Sequence, residues 1–219
     1  MVDRNHTLIK ICGVTRPEDA VVAVTAGCEA VGVILWPGSP RHIDWQHART
    51  VRAAIPKHVL LVGVFVDADR KEVEEAITGI GLDAVQLSGA MANNDWSEFS
   101  SRARCLRAVR VGPGPLEMSN RQKSIEDYVL DTRVDGAYGG TGKTFDWNLV
   151  AGYRDWGRIW LAGGLTPGNV GSAIATVRPY AVDVSSGVEI SPGVKSHDLI
   201  RRFATAVREA DAQLGRTTR

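Results

Sequence analysis

The chain has little net charge, few cysteines, few aromatic residues and no apolar run long enough to span a bilayer. Its formal charge is +1 over 219 residues, so no global field marks it for nucleic acid or for a membrane surface. Its three cysteines, Cys12, Cys28 and Cys105, are odd in number and far apart. That speaks against a disulfide framework and against a spaced zinc site, and for a reducing compartment. The polar start, Met1-Val2-Asp3-Arg4-Asn5-His6, has no apolar stretch after it, so neither a signal peptide nor a membrane anchor is expected and the default location is cytoplasmic. What is plentiful is aliphatic residue and glycine: 44% of the chain is hydrophobic and 23 residues are Gly, enough for one large α/β core.

That core is written as alternation. Apolar strand-like runs occur at Thr7–Cys12, Ala30–Leu35, Leu60–Val66, Ala84–Leu87, Leu106–Val111, Tyr128–Asp131, Ile159–Ala162 and Ala181–Val184. Helical patterns lie between most of them, at Pro17–Ala26, Trp45–Ala54, around Val73-Ala76-Ile77, at Trp96–Arg104, Trp147–Tyr153 and Pro167–Thr176, with a last helix at His197–Leu214. In the first helix Thr15 is the expected N-cap and Pro17 sits in the first turn. About eight βα units with no linker predict one α/β domain over residues 1–219, a closed (β/α)8 TIM barrel rather than an open doubly wound sheet.

In such barrels chemistry gathers at the carboxyl ends of the strands. The polar residues at those ends here are Cys12, Arg41, Asp67, Ser88, Asp131 and Asp183. Strand alternation puts Lys10 and Cys12 on one face, so a cation is expected beneath the thiol. A cysteine is also a common packing residue, but a nearby cation and a helix start both favour the thiolate form that a base needs. Strands one and eight are neighbours in a closed barrel, so Lys10 and Asp183 are expected to form an interior ion pair that limits how far Lys10 lowers the thiol's pKa.

Gly163 and Gly164 lie between a strand and a helix start, and Ser185, Ser186 and Gly187 follow the last strand. Small residues let backbone N–H groups approach an anion, and barrels often bind phosphate in the loops after strands seven and eight. Another glycine-rich loop, Tyr138-Gly139-Gly140-Thr141-Gly142-Lys143-Thr144, resembles the end of a nucleotide-binding P-loop, but Ala137 stands where that pattern needs glycine. It reads as a mobile cover over the barrel mouth, with Lys143 reaching the substrate. NTP binding is the minor alternative.

Taken together, Lys10-Ile11-Cys12-Gly13, Ser39-Pro40-Arg41, Leu130-Asp131-Thr132, the Gly139–Trp147 loop, Gly163-Gly164-Leu165 and Asp183–Glu189 closely resemble the phosphoribosylanthranilate isomerase family of tryptophan biosynthesis. The resemblance runs from the first strand to the last helix. It implies an Amadori rearrangement of N-(5-phosphoribosyl)anthranilate to its 1-deoxyribulose isomer, with no metal or organic cofactor. Carried over by motif, Cys12 would be the general base, Asp131 the general acid and Arg41 the partner of the anthranilate carboxylate. Lys10, Gln86 and Asp183 complete the expected substrate-binding set. The partner is then a phosphorylated aromatic sugar, with no nucleic acid and no membrane, and a monomer is expected rather than a homodimer. Asp131 would have to arrive protonated, its pKa raised by burial or by a neighbouring anion. A phosphosugar isomerase of broader specificity, acting also in histidine biosynthesis, is the second reading, although its relatives generally carry an acid where this chain has Cys12. The family usually has histidine where Ser88 stands, asparagine more often than Asp67, and phenylalanines where Val33 and Leu35 stand. Those positions are expected near the aromatic end of the substrate.

Overall fold

A computed structural model describes residues 6–99, 101–111, 125–132 and 146–216. Eight parallel strands close on themselves in sequence order: β1 (Leu8–Ile11), β2 (Ala30–Ile34), β3 (Leu60–Val66), β4 (Ala84–Ser88), β5 (Arg104–Val111), β6 (Asp127–Thr132), β7 (Arg158–Leu161) and β8 (Ala181–Val184). The expected barrel is present. The closing ladder runs between β1 and β8 and sets Lys10 opposite Asp183.

Strand alternation divides the hydrophobic residues into two sets. Leu8, Ala30, Val62, Ala84, Leu106, Val129, Trp160 and Ala181 point inward and form one barrel-filling layer. Small residues on several strands leave room there for the indole of Trp160. The other set, including Ile9, Ile11, Val31, Val33, Leu35, Leu61, Phe65, Val85 and Leu87, packs outward against the surrounding helices.

The helices are α1 (Pro17–Thr25), α2 (Trp45–Ala54), α3 (Arg70–Ala76), α4 (Val170–Val177) and α5 (His197–Gln213). Asp44, Asp69 and Ser196 cap α2, α3 and α5 by accepting a backbone N–H from the first turn. A two-stranded hairpin, β9 (Glu189–Ser191) with β10 (Val194–Lys195), stands between β8 and α5.

Three local expectations differ. Thr15 does not cap α1: Arg16 occupies the N-cap position, and the Thr15 hydroxyl donates instead to the carbonyl of Gly193, 2.6 Å away. The helix expected over Trp96–Arg104 is only a 3-10 turn at Ser97–Phe99, and Arg104 already belongs to β5. The Trp96 indole N–H donates to the Met91 carbonyl and Phe99 is buried, so these aromatics anchor a compact loop rather than a helix face. Finally, α4 starts at Val170 instead of Pro167, because Asn169 accepts from the Thr166 N–H and donates to the Gly164 carbonyl, tying residues 164–169 into a turn.

Candidate active site

A cavity of about 430 Å3 opens at the carboxyl ends of the strands. Of the residues singled out in the sequence, Cys12, Arg41, Gln86, Asp131, Gly163, Gly164, Asp183, Ser185, Ser186 and Gly187 all line it. Ser88 lines it as well, while Ile34, Trp36, Val64 and Val66 give it an apolar wall.

Lys10 does not reach the cavity. Its side chain is fully buried beneath Cys12 and donates to Asp183 Oδ2 at 2.7 Å and to Gln86 Oε1 at 2.8 Å. Its expected substrate contact is therefore corrected to a supporting one: the inward direction of β1 spends the lysine one layer lower in the barrel. The expected ion pair with Asp183 is present. Burial disfavours the ammonium, but Asp183 and Cys12 outweigh it and hold the Lys10 pKa above the ordinary lysine value.

Cys12 is nearly buried, and burial pushes its thiol up; Lys10 and Lys195 pull it down while Asp183 pushes it up. The expectation of a thiol favoured as thiolate is thus corrected, because removal from water outweighs the cation below. Gly32, the inward residue of β2, makes the space for this arrangement. A Cβ there would lie 2.9 Å from Cys12 Sγ and 3.0 Å from Lys10 Cε.

Asp131 stands on the inward face of β6, two residues beyond Val129, half-buried and in ladder register with Arg110 of β5. Asp183 presents one oxygen to Lys10 and, among the described residues, Oδ1 is buried without a hydrogen-bond partner. Such an atom is costly unless something supplies a donor.

In the loop after β7, Gly163 and Gly164 both take positive φ, 86° and 64°. Opposite them, Ser186–Val188 forms a single 3-10 turn after β8. The two loops touch closely enough that a Cβ on Gly187 would fall 1.8 Å from the Leu165 carbonyl oxygen.

Three positions expected near the aromatic end lie elsewhere. Val33 and Leu35 face the helical shell, since it is Ile34 whose side of β2 borders the cavity. Asp67, at φ 50°, turns its carboxylate onto the N–H groups of Ala90 and Met91 and so caps the turn at Ala90–Asn93. The Tyr138–Thr144 loop with Lys143 lies outside the described residues.

The hairpin carries a charge cluster that has almost no local sequence signature. Glu189 grips Arg41 side-on, with Arg41 Nε at 2.9 Å from Oε1 and Nη2 at 2.8 Å from Oε2. Lys195, 1% exposed, donates to Glu189 Oε1 at 2.8 Å, to the Cys12 carbonyl at 2.5 Å and to the Ser185 carbonyl at 3.2 Å. The only linear signal was a charge closing an otherwise small-residue stretch, Ser185-Ser186-Gly187-Val188-Glu189. Among the described residues no group of three His, Cys, Asp or Glu side chains is placed to hold a metal ion.

Comparison with known proteins agrees with this geometry. The family described as N-(5'phosphoribosyl)anthranilate (PRA) isomerase matches residues 9–206. The chain belongs to this family. The N-(5'-phosphoribosyl)anthranilate isomerase of Pseudomonas fluorescens strain Pf0-1 is 46% identical over 202 residues, covering 91% of this chain and 97% of the relative. The structure of the phosphoribosyl anthranilate isomerase from Thermotoga maritima superposes with a TM-score of 0.81 at 39% identity, covering 93% of this chain and 99% of that one. Another family structure, with a TM-score of 0.78 at 36% identity and the same coverage, holds reduced 1-(o-carboxyphenylamino)-1-deoxyribulose 5-phosphate. Among the described residues of this family member, no helix is long and apolar enough to cross a membrane.

Proposed function

We propose that this member of the family catalyses the Amadori rearrangement of N-(5-phosphoribosyl)anthranilate to 1-(2-carboxyphenylamino)-1-deoxyribulose 5-phosphate, a step of tryptophan biosynthesis. The observation that carries the reading is that Cys12 and Asp131 line one cavity together with Arg41 and the two glycine-bearing loops. An acid and a base on one small cavity are what proton transfer within a single bound molecule requires.

Asp131 protonates the furanose ring oxygen, the C1–O bond breaks, and the nitrogen lone pair forms a Schiff base. Cys12 then takes the proton from C2; the C2–H electron pair forms the C1–C2 double bond while the C1–N π pair returns to nitrogen, giving an enolamine. Tautomerisation moves the C2 hydroxyl proton to C1 and leaves a ketone at C2, so the atoms of substrate and product are the same. The phosphate lies against backbone N–H groups of the loops at Gly163-Gly164 and Ser185-Ser186-Gly187, while the aromatic ring takes the wall of Ile34, Trp36, Val64 and Val66. Arg41 receives the ring carboxylate. The unpaired Asp183 Oδ1 accepts from a sugar hydroxyl, and Gln86, oriented by Lys10, offers its amide beside it.

The same reading includes a monomeric enzyme of a reducing, cytoplasmic setting. All three cysteines are free thiols, and the large hydrophobic side chains left exposed among the described residues, Val21, Leu149 and Ile190, sit on three separate elements.

The test is the decay of phosphoribosylanthranilate fluorescence with the wild type, Cys12→Ser and Asp131→Asn. Each substitution is expected to lower kcat by about 10²–10⁴-fold with the fold intact by circular dichroism. Near-full turnover by both variants overturns the assignment of acid and base.

A further inference from the structure

We infer that Glu189 is a positioning residue for recognition of the aromatic carboxylate: it holds one edge of the Arg41 guanidinium and turns the other edge to the substrate. This rests on the reading of Arg41 as the carboxylate's partner and adds the element that orients it.

A guanidinium carries five N–H donors on two bidentate edges, a side-on edge made of Nε and Nη2 and an end-on edge made of Nη1 and Nη2. Glu189 takes the side-on edge completely, with contacts of 2.9 and 3.1 Å from Nε and 2.8 Å from Nη2. Among the described residues Nη1 makes no hydrogen bond, and Arg41 lines the cavity. The end-on edge is therefore the one available to a ligand. A planar carboxylate on a ring is the group that fits it in two parallel hydrogen bonds.

Glu189 can keep its hold when that ligand arrives because it is itself fixed. Lys195 Nζ donates to Oε1 at 2.8 Å and the Gly193 N–H donates to the same oxygen at 3.2 Å. The hairpin that carries these groups is tied down in turn. The Thr15 hydroxyl holds the Gly193 carbonyl, the Lys195 N–H reaches Asp19 Oδ2 at 3.2 Å, and Lys195 Nζ reaches the Cys12 carbonyl.

Charge count points the same way. Arg41 and Lys195, 8% and 1% exposed, share the single carboxylate of Glu189, so the cluster carries one positive charge in excess. The other nearby carboxylates are engaged elsewhere, Asp19 with Arg16 and His197 and Asp183 with Lys10. A nearly buried excess charge is expensive until an anion joins it, and a substrate carboxylate on the Arg41 end-on edge supplies one. Glu189 thus lowers the desolvation cost of the pair of cations without cancelling their attraction for a ligand. A second cation with no intervening carboxylate would instead repel Arg41.

The experiment measures calorimetric affinity for two stable probes, the reduced product analogue bearing the ring carboxylate and the same compound built on aniline, which lacks it. The wild type is expected to prefer the carboxylate-bearing probe. Glu189→Gln is expected to lose roughly 10- to 100-fold of affinity for that probe while holding the aniline probe within about twofold, the scale of a charge-assisted hydrogen-bond pair. Glu189→Asp, which keeps the charge but withdraws it by one methylene, is expected to fall between, and it serves as the reporting variant if the Gln form does not fold. A Glu189 variant that folds and retains the full preference overturns the inference, as does an equal loss for both probes, which would mark a merely structural role. Arg41→Ala separates the two levels. If it too keeps the preference, the assignment of Arg41 itself fails; if it loses the preference while the Glu189 variants keep it, only the role of Glu189 fails.

Discussion

The ammonium of Lys10 stands 2.7 Å from Asp183 Oδ2, inside the barrel and one layer below the thiol of Cys12. Neither partner is free to find another counter-charge, since their side chains are 0% and 6% exposed. Asp183→Asn leaves a buried ammonium with only an amide and Gln86 to solvate it, and is expected to cost about 3–5 kcal/mol in urea denaturation. It also removes the anion that pushes the Cys12 thiol up. Peptide-resolved alkylation of Cys12 against pH is therefore expected to show a midpoint lower than in the wild type. An upward move would mean that the pair does not control the thiol.

The wild-type pH profile follows from the same balance. Burial raises the Cys12 pKa, so in the free enzyme at neutral pH the base is mostly in its protonated, inactive form. The deprotonated fraction grows tenfold for each pH unit below that pKa. The kcat/KM profile is thus expected to carry a rising limb that belongs to Cys12, extends through the neutral range and is absent in Cys12→Ser, while loss of the Asp131 proton sets the falling limb. A plateau already reached near pH 6 would show that the thiol is not the group that limits the free enzyme.

Much of this was readable in the residues, and the limits of that reading have physical causes. Inward and outward faces follow from period-two alternation, so Leu8, Lys10 and Cys12 could be placed on one side of β1, and the closure of the barrel paired Lys10 with Asp183 before any coordinates. The family resemblance alone placed Val33 and Leu35 near the aromatic end, whereas period-two alternation puts Ile34 on the cavity side. Thr15 had the chemistry of a cap, but a carbonyl 178 positions away, on Gly193, claimed its hydroxyl. Glu189 and Lys195 were invisible for the same reason. Their partners Arg41 and Cys12 come from the first two βα loops, and no local spacing announces a contact that exists only once the barrel has closed.

At the opposite end of the barrel, Asp127 binds the guanidinium groups of both Arg104 and Arg158 and accepts the Trp160 indole N–H at 2.9 Å. These residues open β5, β6 and β7, or lie one inward step along them, so the cluster seals the floor beneath the apolar layer. Asp127→Asn brings two cations together without their shared anion. It is expected to destabilise the fold by about 3–5 kcal/mol in urea while leaving kcat/KM within about twofold, because no member of the cluster lines the cavity. A large kinetic loss with unchanged stability would place the cluster in the catalytic apparatus instead.

Gly187 offers the sharpest separation of phosphate binding from chemistry. Any Cβ there falls 1.8 Å from the Leu165 carbonyl oxygen and 3.2 Å from the Thr166 Cα, so Gly187→Ala must push apart the two loops proposed to hold the phosphate. Both obstacles are backbone atoms, and no side-chain rotation relieves them. Cys12 follows β1 and Asp131 stands on β6, outside the two loops, so both are expected to keep their places. The variant is therefore expected to raise KM by roughly tenfold or more, the scale of one or two charge-assisted hydrogen bonds lost, with a much smaller change in kcat. Inorganic phosphate as a competitive inhibitor is expected to weaken in parallel. An unchanged inhibition constant for phosphate would show that the anion sits away from the contact between Leu165 and Gly187.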